Sequence, residues 1–210
     1  TEIFTIYWFC RFACWFLHLF IQLIIMKIAI LGWGSLFWQP KDLQFDKEIG
    51  WSENGPKLPI EFARISKDGR LTLVITPNGT DVPTLYAVSS FDSLNLAVLN
   101  LKKREGTNEK YIGSYNKSKD EFSPIEFPYK DNIKNWIQTS DFDAVIWTNL
   151  PEKLNLENMT KTEKDPDGRI NYLQNLKGSE SALAEEYIRN TPKQIATKYR
   201  TQIIKTLGWE

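Results

Sequence analysis

Beyond residue 25 the chain carries neither cysteine nor histidine. Thiolate nucleophiles, imidazole bases and most zinc ligands are therefore missing from residues 26–210. Any chemistry in that stretch must be carried by a carboxylate. Glu105 is the acid whose setting suits the work. It stands in Arg104-Glu105-Gly106, at the end of a stretch with helical spacing. The negative end of a helix dipole disfavours an ionised carboxylate, and burial acts the same way. An acid so placed can exchange a proton near neutral pH. Lys102, Lys103 and Arg104 oppose this if they point inward. A simply solvated helix-end glutamate is the plain alternative.

The second feature is Gly32-Trp33-Gly34-Ser35-Leu36-Phe37-Trp38, directly after a short apolar run. Two glycines after a core strand let backbone N–H groups approach a ligand and cradle negative charge. A tight structural turn would use the same residues. A dinucleotide fingerprint is excluded, because position 37 is Phe instead of the third glycine and no βαβ unit follows.

The surrounding elements must bring these two features together. Ile28 to Leu31 reads as a buried strand ending at Gly32. Residues 39–59 are rich in Pro and Gly and read as mostly irregular, with Phe45 and Trp51 pinning them to the body. Ile60–Ser66 and Leu71–Ile75 read as a hairpin around Asp68-Gly69, with both turn positions at positive φ. Val82–Val88 reads as a third strand, with Pro83 favouring an edge or a strand start. Leu94, Ala97, Val98 and Leu101 recur at helical spacing, predicting a helix over 91–104 that Asp92 or Ser93 caps and Gly106 stops. Tyr111–Ser114 is a candidate strand, 116–131 a surface loop, Asp143–Thr148 a buried strand and 151–168 a mobile loop. Helices are expected over about Ile170–Leu176 and Ser181–Arg189. A last one is expected at Thr191, where Thr-Pro-Lys-Gln is a strong start signal. Strands first and helices grouped later indicate an α+β fold with a mostly antiparallel sheet.

Composition narrows the partners. Lys plus Arg equals Asp plus Glu, at 26 each, and no basic stripe stands out, so nucleic acid is not an expected partner. Thr1 to Ile25 differs from the rest. It is almost wholly apolar, with Glu2 and Arg11 its only charges, and it holds Cys10, Cys14 and His18. That spacing resembles a metal site but lacks a fourth ligand, so no metal is expected. The segment is long enough to cross a bilayer, and it lacks the basic start of a signal peptide. A membrane helix ending at Ile25 would run into the core strand without a linker. The preferred reading is a non-native or upstream-translated extension, followed by one domain from Met26 to Glu210. With no cysteine in that domain, a reducing compartment fits, and the expected location is cytoplasmic.

Together, the loop and the acid resemble the gamma-glutamyl cyclotransferase-like superfamily. Gly34-Ser35-Leu36-x-Trp38 is similar to the Tyr-Gly-Ser-Leu-x-Trp loop of its ChaC-type branch. Arg104-Glu105-Gly106 is similar to the Glu-Gly pair that holds the catalytic glutamate in mammalian-type members. The order of hairpin, strand, helix and later strand matches over about residues 26–150. The resemblance implies a mixed sheet or small barrel and an enzyme, a lyase or acyltransferase, that releases 5-oxoproline from a gamma-glutamyl amine or peptide. It implies Glu105 as general acid and base, with Trp33, Gly34, Ser35 and Leu36 binding the substrate, and neither cofactor nor metal. One departure stands out: the family's loop Tyr is Trp33 here, which can donate only through its indole N–H.

Other residues carry weaker signals. Arg64 could anchor a carboxylate, but a strand-surface charge is the preferred reading. Trp38, Tyr86 and Trp147 read as core before pocket wall. Glu61 alternates with apolar neighbours and is expected to face solvent. Two rival readings are a non-catalytic small-ligand binding protein on the same fold and, if residues 1–25 are native, a membrane-tethered protein.

Overall fold

A computed structural model of the chain describes residues 25–154, 161–162, 165 and 168–210. The Cys10, Cys14 and His18 spacing and most of the loop expected over 151–168 lie outside them. Nine strands and five α-helices are described: β1 (Ile28–Gly32), β2 (Trp51–Ser52), β3 (Lys57–Ile65), β4 (Leu71–Ile75), β5 (Thr80–Pro83), β6 (Leu85–Val88), α1 (Leu94–Glu105), β7 (Ile112–Asn116), β8 (Glu121–Ser123), α2 (Lys130–Gln138), β9 (Ala144–Thr148), α3 (Arg169–Asn175), α4 (Gly178–Asn190) and α5 (Lys198–Leu207). The fold is α+β. Six strands form a mixed sheet in the order β2-β6-β1-β9-β7-β8, and three form a second sheet in the order β4-β3-β5. Among the described strands, only β1 and β9 pair in parallel, with one isolated parallel bridge between Arg64 and Lys153 besides. The expected barrel is not closed among the described residues.

Strand periodicity explains the layers. On β1 and β9, alternate side chains enter opposite cores. Ala29, Leu31, Val145 and Trp147 pack toward the three-stranded sheet, with Leu58, Ile60, Phe62, Leu71 and Leu73. Ile28, Ile30, Ala144 and Ile146 pack on the other face, against Ala97 and Leu101 of α1. A strand buried on both faces reads as continuous apolar sequence, as IAIL and AVIW do. Three layers result: small sheet, large sheet, α1.

Several expectations held. The hairpin β3–β4 pairs antiparallel around the turn at Ser66–Arg70. Only Gly69 there has positive φ (80°), so the turn is not the mirror-image type that Asp-Gly suggested. The helix spans Leu94–Glu105, starting three residues later than expected, with Ser93 at the N-cap but no side-chain cap bond. It stops as expected at Gly106, whose φ of 59° is left-handed and suits a residue without a Cβ. Phe45 and Trp51 do pin their segment, 5.7 Å apart, with β2 paired on β6.

Others did not hold. Val82–Val88 is two strands. The chain leaves β3 as a partner at Pro83 and joins β1 from Leu85, changing sheets at the fully buried Thr84. Residues 116–131 contain β8, which brings Phe122 into the core. Helix α2 was not foreseen, although Ile133 and Ile137 stand four apart on its buried face. The last helix opens at Lys198 instead of Thr191. Thr197 is its N-cap, accepting from Arg200 N–H, while the Thr191 hydroxyl donates back to the Tyr187 carbonyl.

The largest correction concerns Glu61, which is 2% exposed. The register is regular through Ile60, Glu61 and Phe62, so Glu61 does alternate with its core-facing neighbours, but the start of α5 covers its face of the strand. One Glu61 oxygen accepts from the Thr197 hydroxyl and from Phe62 N–H, at 2.5 and 2.9 Å. The other accepts from Tyr199 N–H at 3.3 Å and the Thr80 hydroxyl at 3.4 Å. A negative charge at the start of α5 also meets the positive end of its dipole. Replacing Glu61 by Ala removes these acceptors and is expected to cost about 3 kcal/mol. Urea unfolding of the variant measures this. A loss under about 0.5 kcal/mol, the usual surface value, would contradict the role.

Candidate active site

Geometry dictates that the loop and the acid meet. Strand β6 runs antiparallel to β1, so the chain returns to the Met26 end, where Met26 N–H donates to the Asp92 carbonyl. Helix α1 then runs alongside β1 in the same direction. Twelve helical residues rise about 18 Å at 1.5 Å each. Five strand residues rise about 17 Å. Both elements therefore end at the same level, with residues 33–36 after β1 and Glu105 at the end of α1.

The two are joined by Arg104. Its Nη1 donates to Glu105 Oε1 at 2.6 Å, and its Nη2 donates to Ser35 Oγ at 3.1 Å and to the Gln39 carbonyl at 2.7 Å. The side chains of Arg104 and Glu105 are 6% and 14% exposed. Arg104 is thus the inward-pointing cation. Lys102 and Lys103 turn outward, to Glu109 and Asp42.

A cavity of about 240 Å³ opens here, lined by Trp33, Gly34, Ser35 and Leu36 together with Glu105. All the residues assigned to the site from sequence line one space. Hairpin residues Arg64 and Arg70 contribute to its wall, and so do Thr148 of β9 and Tyr187 of α4. Arg64, half-buried on the strand surface, lines the cavity and donates to the Pro151 carbonyl at 2.8 Å. Trp147 is wholly buried core, and Tyr86 packs on Trp136 and Phe142. Trp38 reaches the site only through Tyr187, edge to face at 5.2 Å.

The cavity is rich in donors. Four cations, Lys41, Arg64, Arg70 and Arg104, face it against one carboxylate, Glu105. Among the described residues, the backbone N–H groups of Trp33 to Leu36 donate to nothing, and Arg104 Nε and Thr148 Oγ1 are buried without partners. Buried polar groups are ordinarily satisfied, so this set matches a ligand that brings acceptors. The Trp33 indole is not part of it. Its N–H donates to the Leu73 carbonyl at 3.4 Å, which ties the loop to β4. No cluster of three or more metal-ligating side chains occurs among the described residues.

Tyr187 was not anticipated. It is one of several tyrosines in the chain, and its only local signal was the Ala184, Tyr187, Ile188 spacing of a buried helix face. Its hydroxyl oxygen accepts from Leu73 N–H at 3.4 Å, and Arg70 lies over its ring at 5.6 Å. A Cβ on Gly34 would come within 2.4 Å of that oxygen. Burial pushes the phenol up to about 12. The Glu105 charge adds to the rise, while the Leu73 amide, Arg70 and Arg104 oppose it.

No family model matches the chain, and neither a curated protein nor a solved structure matches it. Among the described residues, no helix is long and apolar enough to cross a membrane.

Two outcomes follow. Gly34→Ala is expected to destabilise the protein by about 1–3 kcal/mol through overpacking. Tyr187→Phe in the same chain should relieve much of that cost, because the clashing oxygen is gone. A double-mutant cycle from urea unfolding reads the coupling, and strictly additive losses would contradict the contact. The second outcome concerns pH. An unfolded tyrosine ionises near pH ~10, while folded Tyr187 holds its proton to about 12. Folded protein therefore binds more protons in that window, and stability falls as pH rises through it. The fall in urea midpoint between pH ~10 and ~12 should be smaller in Tyr187→Phe than in the parent.

Proposed function

We propose that the protein is a gamma-glutamyl cyclotransferase-like enzyme that releases 5-oxoproline from a gamma-glutamyl amine or peptide. The observation that carries this reading is the meeting of Glu105 with the Trp33–Leu36 loop across one donor-rich cavity. The fold type goes with it: an opened relative of the small mixed-sheet barrel, with β1 and α1 presenting loop and acid.

In this reaction the substrate's own α-amine attacks its γ-carbonyl. A ring C–N bond forms and the original C–N bond breaks; the attacking ammonium gives up two protons, and the leaving nitrogen takes two and departs as an ammonium. No water or redox partner enters the balance. Glu105 is the base that accepts a proton from the attacking nitrogen and the acid that returns one to the leaving nitrogen. The unengaged amides of residues 33–36 face the carbonyl oxygen and stabilise its developing charge. Arg104 holds Glu105 and Ser35 in register, so that acid and loop stay at working distance. The attack is intramolecular, and the cavity's remaining task is to hold the substrate curled with amine near carbonyl.

A second reading has its own support. The short ion pair between Arg104 and Glu105 engages one carboxylate oxygen, as in a pocket that only binds a small amino-acid-like ligand. The experiment that separates the two is 5-oxoproline release by the purified protein, across gamma-glutamyl amines, dipeptides and glutathione. Glu105→Gln keeps the shape and removes the base. Its kcat is expected to fall roughly 10²–10⁴-fold, with the circular dichroism unchanged. Turnover that persists in this variant would remove Glu105 from its role. Binding of panel members without turnover would favour the second reading.

A further inference from the structure

The strongest unassigned chemistry in the cavity is the hydroxyl of Tyr187. Its residue is 5% exposed and its oxygen accepts one long bond, from Leu73 N–H. Among the described residues no acceptor takes its proton. Buried hydroxyls ordinarily donate as well as accept. The loop's own polar side chains are Trp33, whose indole N–H is taken by the Leu73 carbonyl, and Ser35, whose Oγ accepts from Arg104.

Position gives this proton a direction. The oxygen lies where a Cβ of Gly34 would be, 2.4 Å from that point. The phenol and the free amides of residues 33–36 therefore form one continuous wall. Glu105 closes the cavity elsewhere, near enough for its charge to act on the phenol. Packing fixes the ring in place. Trp38 and Phe62 meet it edge-on at 5.2 and 6.3 Å, and Arg70 covers a face. A donor held this firmly undergoes little reorganisation as charge develops.

We propose that the Tyr187 hydroxyl is a catalytic hydrogen-bond donor to the carbonyl oxygen under attack, completing the oxyanion site begun by the amides of residues 33–36. This rests on the cyclotransferase reading and assigns it a second reacting-centre contact beside Glu105. The raised ionisation fits a donor, because burial lets the phenol keep its proton up to about 12. Gly34 is required in turn, since any side chain there would stand between the phenol and the amides.

The test compares wild type with Tyr187→Phe on whichever panel substrate is turned over, in the full chain. The phenylalanine keeps the ring packing and deletes the donor. The kcat should fall roughly 10²–10³-fold, the usual cost of one oxyanion donor, with KM changed only a few-fold. Unchanged kcat, or a loss confined to KM, overturns the assignment while leaving the cyclotransferase reading intact. A wild type that turns over no panel member overturns that reading and this assignment together. Should the phenylalanine variant fold poorly, 3,5-difluorotyrosine at position 187 preserves the shape and is a far stronger acid. Its alkaline loss of kcat should then begin at lower pH than in wild type, and an unmoved profile overturns the assignment.

Discussion

One guanidinium holds the site's geometry. Arg104 reaches from the last turn of α1 to Glu105, to Ser35 and to the Gln39 carbonyl. A lysine could not make this fork, because its single ammonium lacks the planar spread of donors. The fork converts two neighbouring chain ends, one of a strand and one of a helix, into a single rigid wall. Its burial strengthens each contact, since little water competes at 6% exposure. Glu105 and the loop amides therefore keep their relation without help from a ligand.

A second tie secures the opposite side. Leu73 of β4 uses both backbone groups across the interface: its carbonyl accepts from Trp33, and its N–H donates to Tyr187. The small sheet thus acts as a strut between the loop and helix α4. Large aromatics at both contacts explain why Gly34 must be small. The loop passes beneath the Tyr187 hydroxyl with no room for a methyl group.

The local parts of this arrangement were legible in sequence. The apolar run IAIL, the spacing of Leu94, Ala97, Val98 and Leu101, and Gly106 as a stop are short-range signals, and each set a correct element. Loop and acid also met as expected. What escaped depends on distant partners. Glu61 looked solvent-facing because its neighbours alternate, yet Thr197 and Tyr199, far along the chain, supply its donors. Tyr187 and Arg70 carry no local mark of their role, since each enters the cavity through packing between sheet and helices. The Thr191 start signal was sound chemistry at the wrong address. Pro192 opens only a short turn there, and Thr197 caps the real helix. Thr84 shows the same limit, because only tertiary pairing shows that a continuous apolar run changes sheets.

The contact between Glu61 and Thr197 spans 136 positions, and that between Leu73 and Tyr187 spans 114. Loop, acid and their Arg104 fork all lie within the first half of the chain, and Tyr187 arrives near its end. During synthesis, which runs from the amino terminus, the Trp33–Leu36 loop and Glu105 can be assembled while one wall is still absent. Closing so long a separation is slow. The finished cavity is therefore a late product of folding, and the carboxy-terminal helices act as its final seal.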